Sequence, residues 1–89
     1  MKVERSVTIA NRYGIHARPA AEIVKVAAKF RSDITIVRDE LEVNGKSIMG
    51  VMMLAAEYGS TITLRADGED AEAAVEAIAT VIANKFGER

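Results

Sequence analysis

Asp70-Ala71-Glu72-Ala73-Ala74-Val75-Glu76-Ala77-Ile78-Ala79-Thr80-Val81-Ile82-Ala83-Asn84-Lys85 is the most regular stretch of the chain. Ala71, Ala74, Val75, Ile78, Ala79 and Ile82 recur every three or four residues, which puts them on one face of a helix running from about Asp70 to Lys85. Asp67-Gly68-Glu69-Asp70 ahead of it reads as a turn that also brings acidic residues to the helix N-terminus, where the helix dipole favours them. A helix with a single apolar stripe buries that stripe against another layer, so the rest of the chain is read for what lies beneath it.

Upstream, Ala20, Ile23, Val24 and Ala27 form a second stripe, on a helix reaching about Phe30. Pro19 sits just inside its start, where a missing N–H and a fixed φ do no harm. Four strands are expected. Val3, Arg5, Val7 and Ile9 alternate with Glu4, Ser6 and Thr8; Ile34 and Ile36 alternate with Thr35 and Val37; Leu41 and Val43 alternate with Glu40 and Glu42; Ser60 to Ala66 turns Ile62 and Leu64 inward. Asn11-Arg12-Tyr13-Gly14, Arg38-Asp39 and Asn44-Gly45 mark turns. Ser47 to Glu57 reads as a helix of about three turns, apolar on nearly every side, with Gly59 as its stop. The order β-α-β-β-α-β-α, with two striped helices, predicts a two-layer α+β sandwich: an antiparallel sheet below, helices above. Residues 1–89 are expected to form a single domain. Periodicity leaves the strand order open.

Size and charge narrow the function. A chain of 89 residues buries a core but not a deep substrate cavity. It is 49% hydrophobic and 28% charged, a globular balance. With no cysteine there is no disulfide framework and no thiolate metal site, and one histidine cannot complete a tetrahedral metal set. No metal and no cofactor are expected. Met1-Lys2-Val3-Glu4-Arg5 lacks the apolar core of a signal peptide, and the apolar run Val51 to Ala56 is too short to cross a bilayer. The expectation is a soluble, cytoplasmic protein without membrane insertion. A formal net charge of −1 speaks against a nucleic-acid binder, which needs a basic excess. The charge is uneven, however: basic residues outnumber acidic ones between Arg12 and Lys46, while Asp67 to Glu76 is acidic throughout.

His16, the only histidine, falls between Gly14 and Pro19 where a loop meets a helix start. Free N–H groups and the positive dipole end favour a phosphate there. Arg18 adds forked donors for phosphate oxygens, and Gly14 lets the backbone turn tightly. Imidazole is nucleophilic when neutral and leaves again from a phosphoramidate. The plainer reading is a surface histidine or a helix cap, with Arg18 a solvated charge. Ser47, after Lys46, opens the apolar helix; it reads as an N-cap, a role compatible with being phosphorylated. Ile48, Met49, Val51, Met52 and Met53 cannot all be buried in so small a domain. A methionine-rich exposed patch suits docking to several partners, whereas the plainer reading leaves only Met49 and Met53 at the surface.

Gly14-Ile15-His16-Ala17-Arg18-Pro19-Ala20 resembles the active-site signature of the HPr family, the histidine-containing phosphocarriers of the bacterial phosphotransferase system, and Asn44-Gly45-Lys46-Ser47-Ile48-Met49-Gly50-Val51-Met52 resembles the signature around that family's regulatory serine. Spacing, length and element order also match, over essentially the whole chain. The resemblance implies an open-faced β-sandwich, a four-stranded antiparallel sheet covered on one face by three helices. It implies a carrier and not an enzyme: enzyme I would place phosphate on Nδ1 of His16, and an enzyme II A component would take it. Arg18 would assist, and the backbone N–H groups of Ala17 and Arg18 would cap the phosphate. Ser47 would be the site of HPr kinase/phosphorylase, and Ile48, Met49, Val51 and Met52 would dock partners. Ala21 stands where many relatives carry Thr.

Within the family, a sugar-uptake carrier and a carrier of a nitrogen-related or purely regulatory branch are not separated by the sequence. An adaptor that is never phosphorylated would use the methionine-rich patch alone, and His16 and Arg18 count against it. A carrier that docks its active face repeatedly is expected to be a monomer.

Overall fold

The computed structural model describes residues 1–88. Four strands form one antiparallel sheet: β1 (Lys2–Thr8), β2 (Asp33–Arg38), β3 (Leu41–Asn44) and β4 (Thr61–Asp67), in the spatial order β1-β4-β2-β3. The last strand in sequence thus lies between the first two. Val3 stands opposite Ala66 and Val7 opposite Ile62 in the β1–β4 pair; Ile34 stands opposite Ala66 and Ile36 opposite Leu64 in the β2–β4 pair. A strand sends alternate side chains to opposite faces, so this register gathers Ile34, Ile36, Val43, Ile62, Leu64 and Ala66 on one side. That side is covered by α1 (Ala17–Ala27), α2 (Ile48–Met53) and α3 (Ala71–Ala83). On the uncovered side Arg65 bridges strands, donating through Nε to Glu4 and through Nη1 to Glu42, each at 3.0 Å. The architecture is the expected open-faced sandwich.

Three helices end earlier than the sequence reading has them, each for a local reason. The first stripe ends at Ala27 and not near Phe30, because the amides of Lys29 and Phe30 donate three residues back, to Val26 and Ala27, tightening the chain out of the α-helix. The apolar helix α2 is six residues long and stops at Met53. Ala55, at φ +49°, turns the chain left-handed well before Gly59. The C-terminal helix ends at Ala83; Lys85 and Phe86 then adopt φ of +57° and +56° within a 3-10 turn, Lys85–Gly87, that buries Phe86 against the core.

The turn before α3 also works differently from its reading. Asp70 is the N-cap residue, yet its carboxylate makes no cap hydrogen bond to its own helix. It accepts instead from the amides of Arg31 and Ser32 and from the Ser32 hydroxyl, and so ties the α1–β2 loop to the start of α3. Among the described residues no helix is long and apolar enough to cross a membrane.

Candidate functional site

His16 is the N-cap residue of α1, with extended backbone and no side-chain hydrogen bond to its own helix. The loop leading to it is pinned on two sides. Gly14, at φ +70°, backs so closely onto the Ala56 carbonyl that a Cβ placed on it would lie 2.5 Å from that oxygen. The amide of Ile15 donates to the same carbonyl at 2.8 Å, while the buried Ile15 side chain joins the core. His16 is therefore held at the surface by buried neighbours on either side, Ile15 before it and Pro19 after it. Ala17 and Arg18 are the first two helical residues, whose N–H groups have no acceptor within the helix.

The imidazole is engaged from one side. His16 Nε2 lies 3.0 Å from Oε2 of Glu88, and Arg18 Nη1 donates to that same oxygen at 3.2 Å. The other carboxylate oxygen accepts from Asn11 Nδ2 at 3.0 Å, and Asn11 Nδ2 also donates to the Gly14 carbonyl at 2.8 Å. The hydrogen bond from Asn11, reinforced by the one with His16 and by the charge of Arg18, holds the Glu88 carboxyl below the usual range against the opposing effect of burial. An ionised carboxylate only accepts hydrogen bonds, so its contact with Nε2 selects the tautomer with the proton on Nε2 and leaves the lone pair on Nδ1.

His16 and Arg18, singled out from the sequence, meet at one Glu88 oxygen, whereas Asn11 and Glu88 were not singled out. Asn11 read as an ordinary turn residue, and nothing in a chain end marks it as folding back onto a loop more than seventy residues earlier. Asn11 is fully buried, and its Oδ1 has no partner among the described residues.

Ser47 caps α2 as expected: its hydroxyl accepts from the Gly50 amide at 3.0 Å. Beyond it, Met49 is 71% exposed, and Ile48, Met52 and Met53 are exposed too. Val51 is a correction. Expected on the docking surface, it is 0% exposed, because on so short a helix Val51 and Leu54, three residues apart, are the positions turned into the core. The surface patch is Ile48, Met49, Met52 and Met53. Among the described residues no group of His, Asp or Glu side chains is placed to hold a metal ion.

The chain is thus a small open-faced sandwich with a histidine at a helix start and an exposed apolar patch on a neighbouring helix. A family model for the PTS HPr component phosphorylation site matches residues 3–84. The phosphocarrier protein HPr of Cupriavidus necator is 48% identical over 86 residues, spanning 97% of each chain. The phosphocarrier protein NPr of Shewanella violacea is 44% identical over 87 residues, spanning 98% of this chain and 96% of that one. The solved HPr of Thermoanaerobacter tengcongensis superposes with a TM-score of 0.93 at 45% identity, over 98% of both chains, and an HPr dimer from the same organism has also been solved. The chain belongs to the HPr family of phosphocarriers of the phosphotransferase system.

Proposed function

We propose that the protein accepts a phosphoryl group from phosphorylated enzyme I on Nδ1 of His16 and passes it to an enzyme II A component, serving sugar uptake and its regulation from the cytoplasm. The observation that carries this reading is the His16 environment: Nε2 is occupied by Glu88, which in the neutral ring favours the proton there and the lone pair on Nδ1, and the free N–H groups of Ala17 and Arg18 begin a helix beside it. In the transfer, the Nδ1 lone pair forms the new N–P bond while the N–P bond on the donor's histidine breaks, and the donor nitrogen keeps the electron pair. The proton stays on Nε2, hydrogen-bonded to the Glu88 carboxylate, which offsets the positive charge that the ring gains. Arg18 and the helix start offset the charge on the transferred group, and most of the catalytic effect is positioning. The protein holds a phosphohistidine transiently and is a relay component, not an enzyme.

Ile48, Met49 and Met52 dock partners in this reading, joined by Met53. Ser47 is the regulatory site, modified by HPr kinase/phosphorylase. Phosphate there adds nearly two negative charges beside the patch and opposes docking through desolvation and repulsion. Residues 1–89 act as one domain and the working form is a monomer, the uncovered patch and site being reused at each encounter. A second reading, a carrier for a nitrogen-related or purely regulatory branch, is favoured by the close match to an NPr protein.

The test is mass spectrometry after incubation with phosphoenolpyruvate and purified bacterial enzyme I, on wild type and His16→Ala. One acid-labile phosphate, absent from the variant, is expected. A folded wild type left unmodified by a competent enzyme I would refute the carrier reading. Capture of enzyme II A partners from the source's own sugar or nitrogen branch separates the two carrier readings.

A further inference from the structure

Arg38 lies at the end of β2, mostly buried, on the helix-covered side of the sheet that Ile34 and Ile36 share. Its Nη1 donates to the carbonyls of Leu54 at 3.0 Å and Ala55 at 2.7 Å, the groups left open where α2 ends. Between these contacts the chain does something an alanine rarely does: Ala55 sits at φ +49°. The next carbonyl, Ala56, is the one that receives the Ile15 amide at 2.8 Å and against which Gly14 is packed. The path from Arg38 to the histidine loop thus runs through three consecutive residues and ends one residue short of His16.

We infer that Arg38 is a positioning residue for phosphoryl acceptance at His16: it clamps the left-handed turn at Ala55, and that turn presents the Ala56 carbonyl that sets the Gly14–Ile15 loop. The inference rests on the proposed carrier reading and adds a residue outside both sequence signatures. Arg38 touches neither His16 nor the phosphate; it acts through backbone geometry. Glu57, whose carboxylate lies 3.8 Å from the Arg38 guanidinium and is largely exposed, contributes little to the clamp.

The test compares wild type, Arg38→Met, Arg38→Lys and the double variant Arg38→Met/Ala55→Gly. Two readouts are taken: amide hydrogen exchange by NMR, and steady-state phosphorylation by enzyme I with phosphoenolpyruvate. In Arg38→Met the Ile15 amide is expected to exchange about tenfold faster or more, the loss of charge-assisted bonds at the turn, while the Ile36 and Leu64 amides keep their protection. Phosphorylation is expected to lose roughly tenfold in kcat with little change in KM, since the reacting atom is misplaced but the docking patch stays. Lysine recovers part of both. Glycine adopts positive φ without penalty, so Ala55→Gly recovers both in the arginine-free protein. Unchanged Ile15 protection in Arg38→Met, or slowed transfer that Ala55→Gly leaves uncorrected, overturns the inference. Should Arg38→Met fail to fold, Arg38→Lys and the double variant make the same comparison. A wild type that takes no phosphate refutes the carrier reading itself; a wild type that does, beside an Arg38→Met protein equal to it in both readouts, overturns this inference alone.

Discussion

Glu88 Oε2 stands 3.0 Å from His16 Nε2 and also accepts from Arg18, so one carboxylate oxygen from the end of the chain holds together the two side chains of the candidate site. Asn11 holds the other oxygen. Under the proposed function, Glu88 is an anion on the Nε2 side of the ring whose Nδ1 receives a second anion, the phosphoryl group, and the two compete for Arg18.

Glu88→Gln should therefore raise the phosphorylated fraction at equilibrium with enzyme I by up to about fivefold, the scale of an exposed charge pair. Phosphohistidine quantified by 31P NMR checks this. An unchanged or lower fraction would mean that Glu88 assists acceptance and does not compete with it. In the unphosphorylated wild type the Glu88 carboxyl should titrate below the usual glutamate range, and Asn11→Leu, which removes the largest cause, should move it back up.

Asp70 makes stability depend on pH in acid. Hydrogen bonds from the Ser32 hydroxyl and the Arg31 amide lower its pKa from 3.8 to about 2 in the folded protein. A group whose folded pKa is depressed binds protons more readily when unfolded, so its contribution is complete above the unfolded value and is lost as pH falls through the folded one. Urea midpoints should drop between about pH 4 and pH 2 for this reason, and Asp70→Asn should flatten that part of the profile. A variant with the wild-type slope would assign the acid sensitivity to other carboxylates.

Gly14→Ala should cost about 2 kcal/mol or more, combining a positive φ with a methyl group driven against the Ala56 carbonyl. Because Ile15 shares that carbonyl, the variant should lose Ile15 amide protection and slow phosphoryl acceptance together. Urea unfolding and amide exchange measured on one sample test the link.

Val51 and Met49 should separate stability from docking. Val51→Ala removes methyl groups from a fully buried site and should cost about 2 kcal/mol with unchanged KM for enzyme I at temperatures where the protein is folded. Met49→Ala, at an exposed site, should leave the urea midpoint nearly unchanged and raise KM several-fold. The reverse pattern would return Val51 to the interface.

The sequence determined more of this protein than its size suggests, and it did so through short-range patterns. The stripe from Ala71 to Ile82 and the alternation around Ile34 and Ile62 are set by the helical and strand periods themselves, so helix and strand identity and the inward faces were legible residue by residue. The Ser47 cap and the placement of His16 and Arg18 at a helix start were legible because capping and dipole chemistry act within a few residues. What only the tertiary structure decided depends on groups far apart in sequence. The order β1-β4-β2-β3 follows from which strand edges meet, a contest among long-range pairings that periodicity does not record. The early end of α2 falls at the left-handed turn of Ala55, where Arg38 reaches the carbonyls of Leu54 and Ala55 from some sixteen residues away along the chain, and the sequence offered only Gly59 as a stop. Val51 reads as apolar whether it faces the core or a partner, and only the packing of α2 on the sheet separates those fates. Glu88 reaches His16 because the left-handed turn at Lys85 and Phe86, with Phe86 buried, folds the chain end back over the loop, and no local pattern encodes where a chain end returns.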